Sequence, residues 1–302
     1  MVTKIVNVRE CNFIVTLNEK RFSNRRAPQE MISLFQAFDH SKFNFTKIRD
    51  SEILMTHGLR KEEQEVGYPI NQNVIIVNAS PFQEGHSLLV PELNSCHNQV
   101  MRKRPLRTAL DTLLISGEEK FTIAFNSLMA CASVNHLHFH LWVNDEPLVC
   151  STLGLDCLID LDYYGKIYHM PQHPVHNVVV LFKDLESIDF EFEKLWNIVY
   201  SFQILHLAHS ICFMRSSDGI RAIVWPRNIE SDYSLKLSAN QANRVFNVAV
   251  AEMAGQIFTG DKDFFENEFD SDLLERSFQR INLSDGRFNE LILSLKNYFY
   301  FK

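Results

Sequence analysis

His136-Leu137-His138-Phe139-His140 runs directly into the apolar segment Leu141-Trp142-Val143. In a β-strand alternate side chains leave the same face, so the three imidazoles would line up on one side and the apolar side chains between them would enter a core. A helix does not gather them, because neighbours on a helix face lie three or four residues apart. The spacing therefore predicts a strand over 136–143 with one face that carries chemistry.

Three kinds of chemistry suit such a row of histidines. Neutral imidazole is the commonest metal ligand, but the sequence contains no HExxH, CxxC or HxE…CxxC pattern. A solvated histidine stripe on a surface strand is the second alternative. The third is nucleophilic catalysis, in which a neutral imidazole nitrogen attacks phosphorus and forms a phosphoramidate. The flanking histidines and the backbone N–H groups of the preceding loop would then hold the phosphate oxygens, and we favour this interpretation.

Several motifs resemble the histidine-triad superfamily of nucleotidyl hydrolases and transferases, whose signature is His-φ-His-φ-His. The segment 77–91 is similar to the strand–Pro–Gly-His–strand segment of that superfamily. Three further blocks, spread over most of the chain, are similar to the GDP-hexose phosphorylase family: Phe38-Asp39 with Lys42-Phe43-Asn44-Phe45-Thr46-Lys47; Phe125-Asn126-Ser127-Leu128 running into Ala132-Ser133-Val134-Asn135-His136-Leu137-His138-Phe139; and Glu252-Met253-Ala254-Gly255 with Asp263-Phe264 and Arg287-Phe288.

The resemblance implies a role for each matching residue. His138 would be the nucleophile that forms a guanylyl-histidine, while His136 and His140 would contact the phosphates and help the leaving group. No metal or other cofactor is needed for that covalent step. Four polar residues fall where related transferases bind phosphate: Asn126, Ser127, Ser133 and Asn135.

The activity that the resemblance implies is phosphorolysis of GDP-D-glucose to GDP and glucose 1-phosphate, with inorganic phosphate as the second substrate. Water as the acceptor would make the protein a nucleotide-sugar hydrolase, and a different GDP-hexose would make it another phosphorylase of the family. The remaining alternative is a catalytically weak, nucleotide-binding regulatory relative. It arises from Met129, because the family usually has glycine there and glycine permits backbone conformations that other residues resist.

The predicted elements give an α+β fold: a histidine-triad-like antiparallel sheet with helices, duplicated with a degenerate second half. The expected domains are a catalytic domain over 1–164 and its degenerate copy over 165–302. Asp218-Gly219 predicts a hairpin turn. Strands are predicted at 13–17, 73–78, 87–90, 121–125, 136–143, 175–182, 211–214 and 220–225, and helices at 28–38, 106–115, 190–208, 240–258 and 288–299.

Composition limits the partners. A net charge of −7 over 302 residues argues against nonspecific nucleic-acid binding, which needs a broad basic surface. No stretch reaches the roughly 18 uncharged apolar residues of a membrane span. The six cysteines form no CxxC pair, which favours reduced thiols and a cytoplasmic location. Histidine-triad relatives are often dimeric, so the resemblance also implies a homodimer.

Overall fold

The computed structural model describes residues 2–19, 29–57, 72–229 and 247–300. Its strands are β1 Val2–Val8, β2 Cys11–Leu17, β3 Ile53–His57, β4 Asn73–Val77, β5 Ser87–Val90, β6 Phe121–Asn126, β7 Phe139–Val143, β8 Asp156–Asp160, β9 Lys166–His169, β10 Val178–Phe182, β11 Ala208–Ser216, β12 Gly219–Arg227 and β13 Gln256–Thr259. Its helices are α1 Lys103–Ser116, α2 Val149–Thr152, α3 Ile188–Ile204, α4 Val250–Ala254, α5 Ser271–Ile281 and α6 Asp285–Tyr300.

Ten of these strands form one antiparallel sheet in the order β3-β4-β5-β7-β6-β11-β12-β10-β9-β8. A smaller sheet has the order β1-β2-β13, and β13 runs parallel to β2. Helices cover the sheets and connect them, so the predicted α+β class is confirmed.

The order of elements repeats across the large sheet. From β3 to β7 the chain makes three strands, the helix α1 and two strands, and from β8 to β12 it makes three strands, the helix α3 and two strands. The two sets meet at the β6–β11 pair. Duplication and the domains 1–164 and 165–302 stay predictions. Residues 164 and 165 lie in the turn between β8 and β9, whereas the repeat of elements begins with β8.

Two apolar layers enclose the central strands. Ile123 and Phe125 of β6 pack in one layer with α1, α3 and α6, and Ala124 packs in the other with the small sheet, α4 and α5. In β7 Leu141 and Trp142 alternate in the same way. Burying one such large apolar side chain contributes roughly 1.5–3 kcal/mol, so these layers hold β6 and β7 firmly beside each other.

Several sequence predictions are confirmed with small changes at their ends. The strand at 87–90 matches β5, and the helices at 106–115 and 288–299 lie within α1 and α6. The hairpin around Asp218-Gly219 joins β11 to β12. Glycine is required there, because its φ is +131° and a Cβ would collide with the carbonyl oxygen of Phe182.

Three predicted helices need correction. Residues 29–38 contain no helix, although Pro28, the start of that prediction, lies outside the described residues. The helix predicted at 190–208 ends at Ile204. The described part of 240–258 divides into the short helix α4 and the strand β13, and residues 240–246 lie outside the described part of the chain.

Candidate active site

The three triad imidazoles lie on one side of the chain. The ring of Phe45 contacts both His136 and His138, with centroids 5.5 and 5.1 Å away, and the His138 and His140 centroids are 5.4 Å apart. Leu137 and the other intervening apolar side chains are buried in the opposite layer. The predicted shared face is therefore confirmed.

The strand that carries the triad is shorter than predicted, because β7 begins only at Phe139. Its pairing with β6 ends at Ala124 and His140. Beyond that pair the backbone of the triad segment bonds to the loop between β5 and α1: the N–H of Leu137 donates to the carbonyl of His97 at 2.8 Å. His136 therefore lies in a bend, and His138 lies in irregular backbone directly ahead of the regular strand.

The protonation of His138 is fixed by its neighbour in the chain. Its Nδ1 lies 2.7 Å from the carbonyl oxygen of His136. A carbonyl only accepts, so Nδ1 carries the proton and Nε2 carries a lone pair. Burial lowers the pKa of His138 to about 4, so the ring is neutral near pH 7. Nε2 has no hydrogen-bond partner among the described residues, which leaves a nitrogen nucleophile.

His136 has the opposite tautomer. The backbone N–H of Phe45 donates to its Nδ1 at 3.1 Å, so the proton of the neutral ring is on Nε2. That Nε2 is buried with no hydrogen-bond partner in the described residues. Burial, followed by repulsion from a protonated His138, lowers the pKa of His136 to about 4. The carbonyl of Leu93 opposes this shift, but it does not reach hydrogen-bonding geometry with Nε2.

His140 receives its tautomer through His86. The N–H of Phe82 donates to Nδ1 of His86 at 3.1 Å, and Nε2 of His86 lies 3.0 Å from Nδ1 of His140. His86 is thus protonated on Nε2 and donates to His140, whose own proton is then on Nε2. Nδ2 of Asn78 also lies 3.0 Å from Nε2 of His86, but two N–H donors cannot bond to each other, so this contact is not a hydrogen bond in that tautomer. The hydrogen bonds to the three Nδ1 atoms therefore leave His136 with a donor at Nε2, His138 with a lone pair at Nε2 and His140 with a donor at Nε2.

The segment that carries Phe45 is held by its own polar side chains. Asn44 accepts hydrogen bonds from the N–H of Thr46 at 3.1 Å and from its hydroxyl at 2.6 Å. Lys47 places its Nζ 2.7 Å from the carbonyls of His40 and Lys42. These local bonds account for the Asn-Phe-Thr-Lys block, because they fix the turn that presents Phe45 to the triad.

Asn126 ends β6 on the face that carries the triad, because it alternates with Ala124, the partner of His140. Its Oδ1 accepts from the hydroxyl of Ser210 at 2.8 Å and from the N–H of Val250 at 3.0 Å. Its Nδ2 has no hydrogen-bond partner among the described residues. Asn126 therefore offers an oriented N–H donor.

The other predicted phosphate-binding residues differ in whether their side chains are already hydrogen-bonded within the protein. The hydroxyl of Ser127 donates to the carbonyl of Leu128 and accepts from the N–H of His209. Asn135 donates from Nδ2 to the carbonyls of Gln36 and Ala37. Both side chains are therefore committed to the fold. Ser133 is half-buried, and its hydroxyl has no hydrogen bond to the described residues.

The loop between β6 and the triad contains two left-handed residues. Met129 has a φ of +62° and Cys131 a φ of +70°, a conformation that costs a residue with a side chain about 1–2 kcal/mol. The side chain of Met129 packs against the small apolar cluster of Leu34, Ala130 and Ala208. Its conformation thus explains why glycine suits this position.

The described ranges contain no cluster of side chains arranged as a metal site. Within 2–19, 29–57, 72–229 and 247–300, no group of three or more His, Cys, Asp or Glu side chains is placed to hold a metal ion. In the same ranges no helix combines the length and the apolar character needed to cross a membrane.

Three neighbours of the triad escaped the sequence-based interpretation. From the sequence His86 has no assigned role, and it contacts His140 directly. Phe45 belongs to one of the blocks that resemble the family, and Gln99, which bonds to the backbone of His138, belongs to none of them. A local signal existed only for His86, which follows Gly85 at a strand corner.

Comparisons with known proteins show which family the chain belongs to. A family model described as "GDPGP1-like, N-terminal domain" matches residues 1–142. The chain is 30% identical to GDP-D-glucose phosphorylase 1 of Danio rerio, over 83% of this chain and 71% of that protein. It is 31% identical to the Homo sapiens protein of the same name, over 81% of this chain and 64% of that protein. The chain thus spans about two thirds of the length of these relatives.

A crystal structure of yeast Ap4A phosphorylase in complex with Ap4A has the same fold. It superposes with a TM-score of 0.64 at 13% sequence identity, over 93% of this chain and 89% of that one. The large antiparallel sheet with its covering helices, shared with that enzyme, defines an α+β protein of this fold. Within that class, the chain belongs to the GDP-D-glucose phosphorylase family.

Proposed function

We propose that this protein is a nucleotidyltransferase that converts GDP-D-glucose and inorganic phosphate into GDP and glucose 1-phosphate. The observation that carries the proposal is the lone pair on Nε2 of His138, which is fixed by the 2.7 Å contact of Nδ1 with the carbonyl of His136. The family relationship supports the choice of a GDP-hexose as substrate.

The reaction proceeds in two displacements. Nε2 of His138 attacks the α-phosphorus, the bond from that phosphorus to the bridging oxygen breaks, and glucose 1-phosphate leaves with the bridging oxygen. GMP then remains on His138 as a phosphoramidate. An oxygen of inorganic phosphate next attacks the same phosphorus and breaks the P–N bond, which yields GDP and restores the imidazole. Splitting one transfer into two steps lowers each barrier.

The flanking histidines act as hydrogen-bond donors to the charged phosphate oxygens. His136 has a buried Nε2–H without a partner in the described residues, which carries a desolvation penalty. A phosphate oxygen that accepts from this N–H would relieve that penalty. His140 donates through the proton that His86 directs to its Nε2. Donors that are already oriented stabilise developing charge without reorganisation.

The loop after β6 supplies the remaining phosphate contacts in this proposal. Nδ2 of Asn126 and the hydroxyl of Ser133 are the side-chain donors, because neither has a hydrogen-bond partner among the described residues. Ser127 and Asn135 act indirectly by fixing the loop. Backbone N–H groups around Met129 and Cys131 complete the site, since turns with left-handed residues form anion-binding concavities.

We place the reaction in the cytoplasm, because the six cysteines are all free thiols, as a reducing compartment keeps them. Formation of a homodimer stays a prediction.

The test is an assay of the purified protein with GDP-glucose, GDP-mannose, GDP-galactose and UDP-glucose, each with and without phosphate. We expect glucose 1-phosphate and GDP from GDP-glucose at a rate that depends on phosphate. GMP in place of GDP, at a rate independent of phosphate, would show a hydrolase. Binding of GDP-glucose without product would show a regulatory relative.

A further inference from the structure

Gln99 occupies the place where β6 and β7 separate. Ladder pairing between these strands ends at Ala124 and His140, and the same register, continued past Phe125 and Phe139, would pair Asn126 with His138. The side-chain amide of Gln99 stands between those two residues instead. Its Nε2 donates to the carbonyl of Asn126 at 2.9 Å and to that of His138 at 3.1 Å, and its Oε1 accepts from the N–H of His138 at 2.9 Å.

The amide therefore pairs with the peptide of His138 as a neighbouring strand would. In an antiparallel ladder a hydrogen-bonded residue exchanges one N–H and one C=O with its partner, and Gln99 supplies both from one side chain. Gln99 is only 1% exposed. The backbone N–H of Gln99 donates to Oδ1 of Asn135 at 2.9 Å. Both ends of the side chain are thus fixed.

We propose that Gln99 is the positioning residue of His138: its amide takes the place of a ladder pair and sets the separation of His138 from Asn126. This inference rests on the proposed function, in which a phosphate binds between Nε2 of His138 and Nδ2 of Asn126. If the strands stayed paired, opposite residues would have Cα atoms about 4.5–5.5 Å apart. An inserted amide widens that spacing while it keeps the carbonyl of Asn126 and both the N–H and the carbonyl of His138 hydrogen-bonded.

Gln99 also acts on the tautomer of His138 through the peptide. The Nδ1–H of His138 bonds to the carbonyl of His136, two residues earlier in the chain. The N–H of His138 can remain aligned only while Oε1 of Gln99 accepts it. Loss of the amide frees the segment to rotate, which lowers the rate of chemistry more than the affinity for the nucleotide.

The replacement Gln99→Glu tests this role through its pH dependence. An ionised carboxylate at this position faces the carbonyl oxygens of Asn126 and His138 and repels both, whereas the protonated acid keeps one donor and one acceptor. Burial without a cation raises the pKa of such a carboxyl. The damage should therefore be greatest at high pH and should be partly relieved as the pH falls.

The chain offers a matched control in Asn177, which is 2% exposed. Its Oδ1 accepts from the N–H of Met170 at 2.8 Å, and its Nδ2 donates to the carbonyls of Met170 and Val175 at 3.3 and 2.9 Å. Asn177→Asp thus breaks the same bonding pattern, and none of the contacts of the described residues joins Asn177 to the triad.

The experiment measures kcat and KM for GDP-glucose from pH 6 to pH 8 at equal folded fractions of the wild-type, Gln99→Glu and Asn177→Asp proteins. We expect kcat of Gln99→Glu to fall at least tenfold at pH 8 with KM within threefold, and to recover relative to wild type at pH 6. The ratio of Asn177→Asp to wild type should stay constant. Equal pH profiles for the two variants would overturn the proposal.

Two further measurements keep the outcome decisive. Should Gln99→Glu not fold at pH 8, Gln99→Met keeps the length of the side chain without its hydrogen bonds, and a wild-type kcat in that variant overturns the proposal. The substrate-free arm follows the ¹⁵N resonances of His138 during titration. They should move in Gln99→Glu as the carboxyl ionises and stay unchanged in Asn177→Asp. That arm decides the role of Gln99 even if wild-type protein releases no glucose 1-phosphate, a result that rejects the proposed function alone.

Discussion

Phe45 donates its backbone N–H to Nδ1 of His136, a residue 91 positions later in the chain, at 3.1 Å. The side chain of Phe45 packs its ring against both His136 and His138. One residue of the loop before β3 therefore fixes the tautomer of the first triad histidine and encloses the second. This contact makes the buried Nε2–H of His136 a donor that is ready before any phosphate binds.

Replacement of His136 by Asn should lower kcat on the order of 100-fold while the fold is retained. The reason is that the shorter side chain cannot both accept from Phe45 and present an N–H to the phosphate. His176→Asn is a suitable control, because His176 pairs with Asp285 outside the triad. Steady-state kinetics with GDP-glucose check this, and equal rates for the two variants would contradict the role given to His136.

His86→Leu should lower kcat by roughly 10-fold to 100-fold, because it removes the donor that fixes the tautomer of His140. His86→Gln should recover part of that loss, since its amide can still donate to Nδ1 of His140. The comparison of the two variants separates hydrogen bonding from packing against Phe82, whose ring lies 3.7 Å from that of His86. If leucine and glutamine give the same rate, the hydrogen bond has no part in turnover.

The pH profile of kcat/KM should stay level well below the ordinary titration range of histidine. Burial lowers the pKa of His138 to about 4, and the neutral ring is the reactive form, so activity is lost only as the pH falls towards that value. An unperturbed imidazole would halve the rate near pH 6.5. Circular dichroism at each pH is needed to show that a loss of activity is not a loss of folded protein. In the unfolded state His138 takes up a proton at its ordinary pKa, whereas in the folded state it stays neutral. The free energy of unfolding therefore falls as the pH drops below about 6.5.

Met129→Gly should leave the melting temperature within about 3 °C of wild type, because relief of about 1–2 kcal/mol of left-handed strain offsets the lost packing against Leu34 and Ala208. Met129→Val should lower it by several degrees, since a β-branched residue resists a positive φ. Both are checked by thermal unfolding, and the glycine variant should keep wild-type kcat. A glycine variant that loses activity would show that the methionine side chain itself belongs to the site.

Alternation in the sequence was sufficient to predict the face that carries the triad. Leu137 enters the apolar layer opposite the histidines, as the spacing requires. The start of the strand was not predictable in the same way. The backbone partners of Leu137 and His138 are His97 and the side chain of Gln99, and nothing in a local pattern reports bonds to a distant loop.

The helix predicted over 28–38 failed for a related reason. Met31, Leu34, Phe35 and Phe38 have helical spacing, but the carbonyls of Gln36 and Ala37 accept from the side chain of Asn135. Contacts with the triad segment thus hold residues 36 and 37 in an irregular conformation, and local propensity is a weak predictor where tertiary contacts decide the backbone. The same contact assigns Asn135 to the fold, whereas its position in the motif suggested phosphate binding.

The most direct test of the central claim is to trap the nucleotide on the protein. Wild-type protein is incubated with GDP-glucose without phosphate, quenched and digested, and the peptides are analysed by mass spectrometry. We predict one GMP adduct on His138, its disappearance when phosphate is added before the quench, and no adduct in His138→Asn. A His138→Asn protein that still releases glucose 1-phosphate at the wild-type rate, or an adduct on any other residue, would contradict the account.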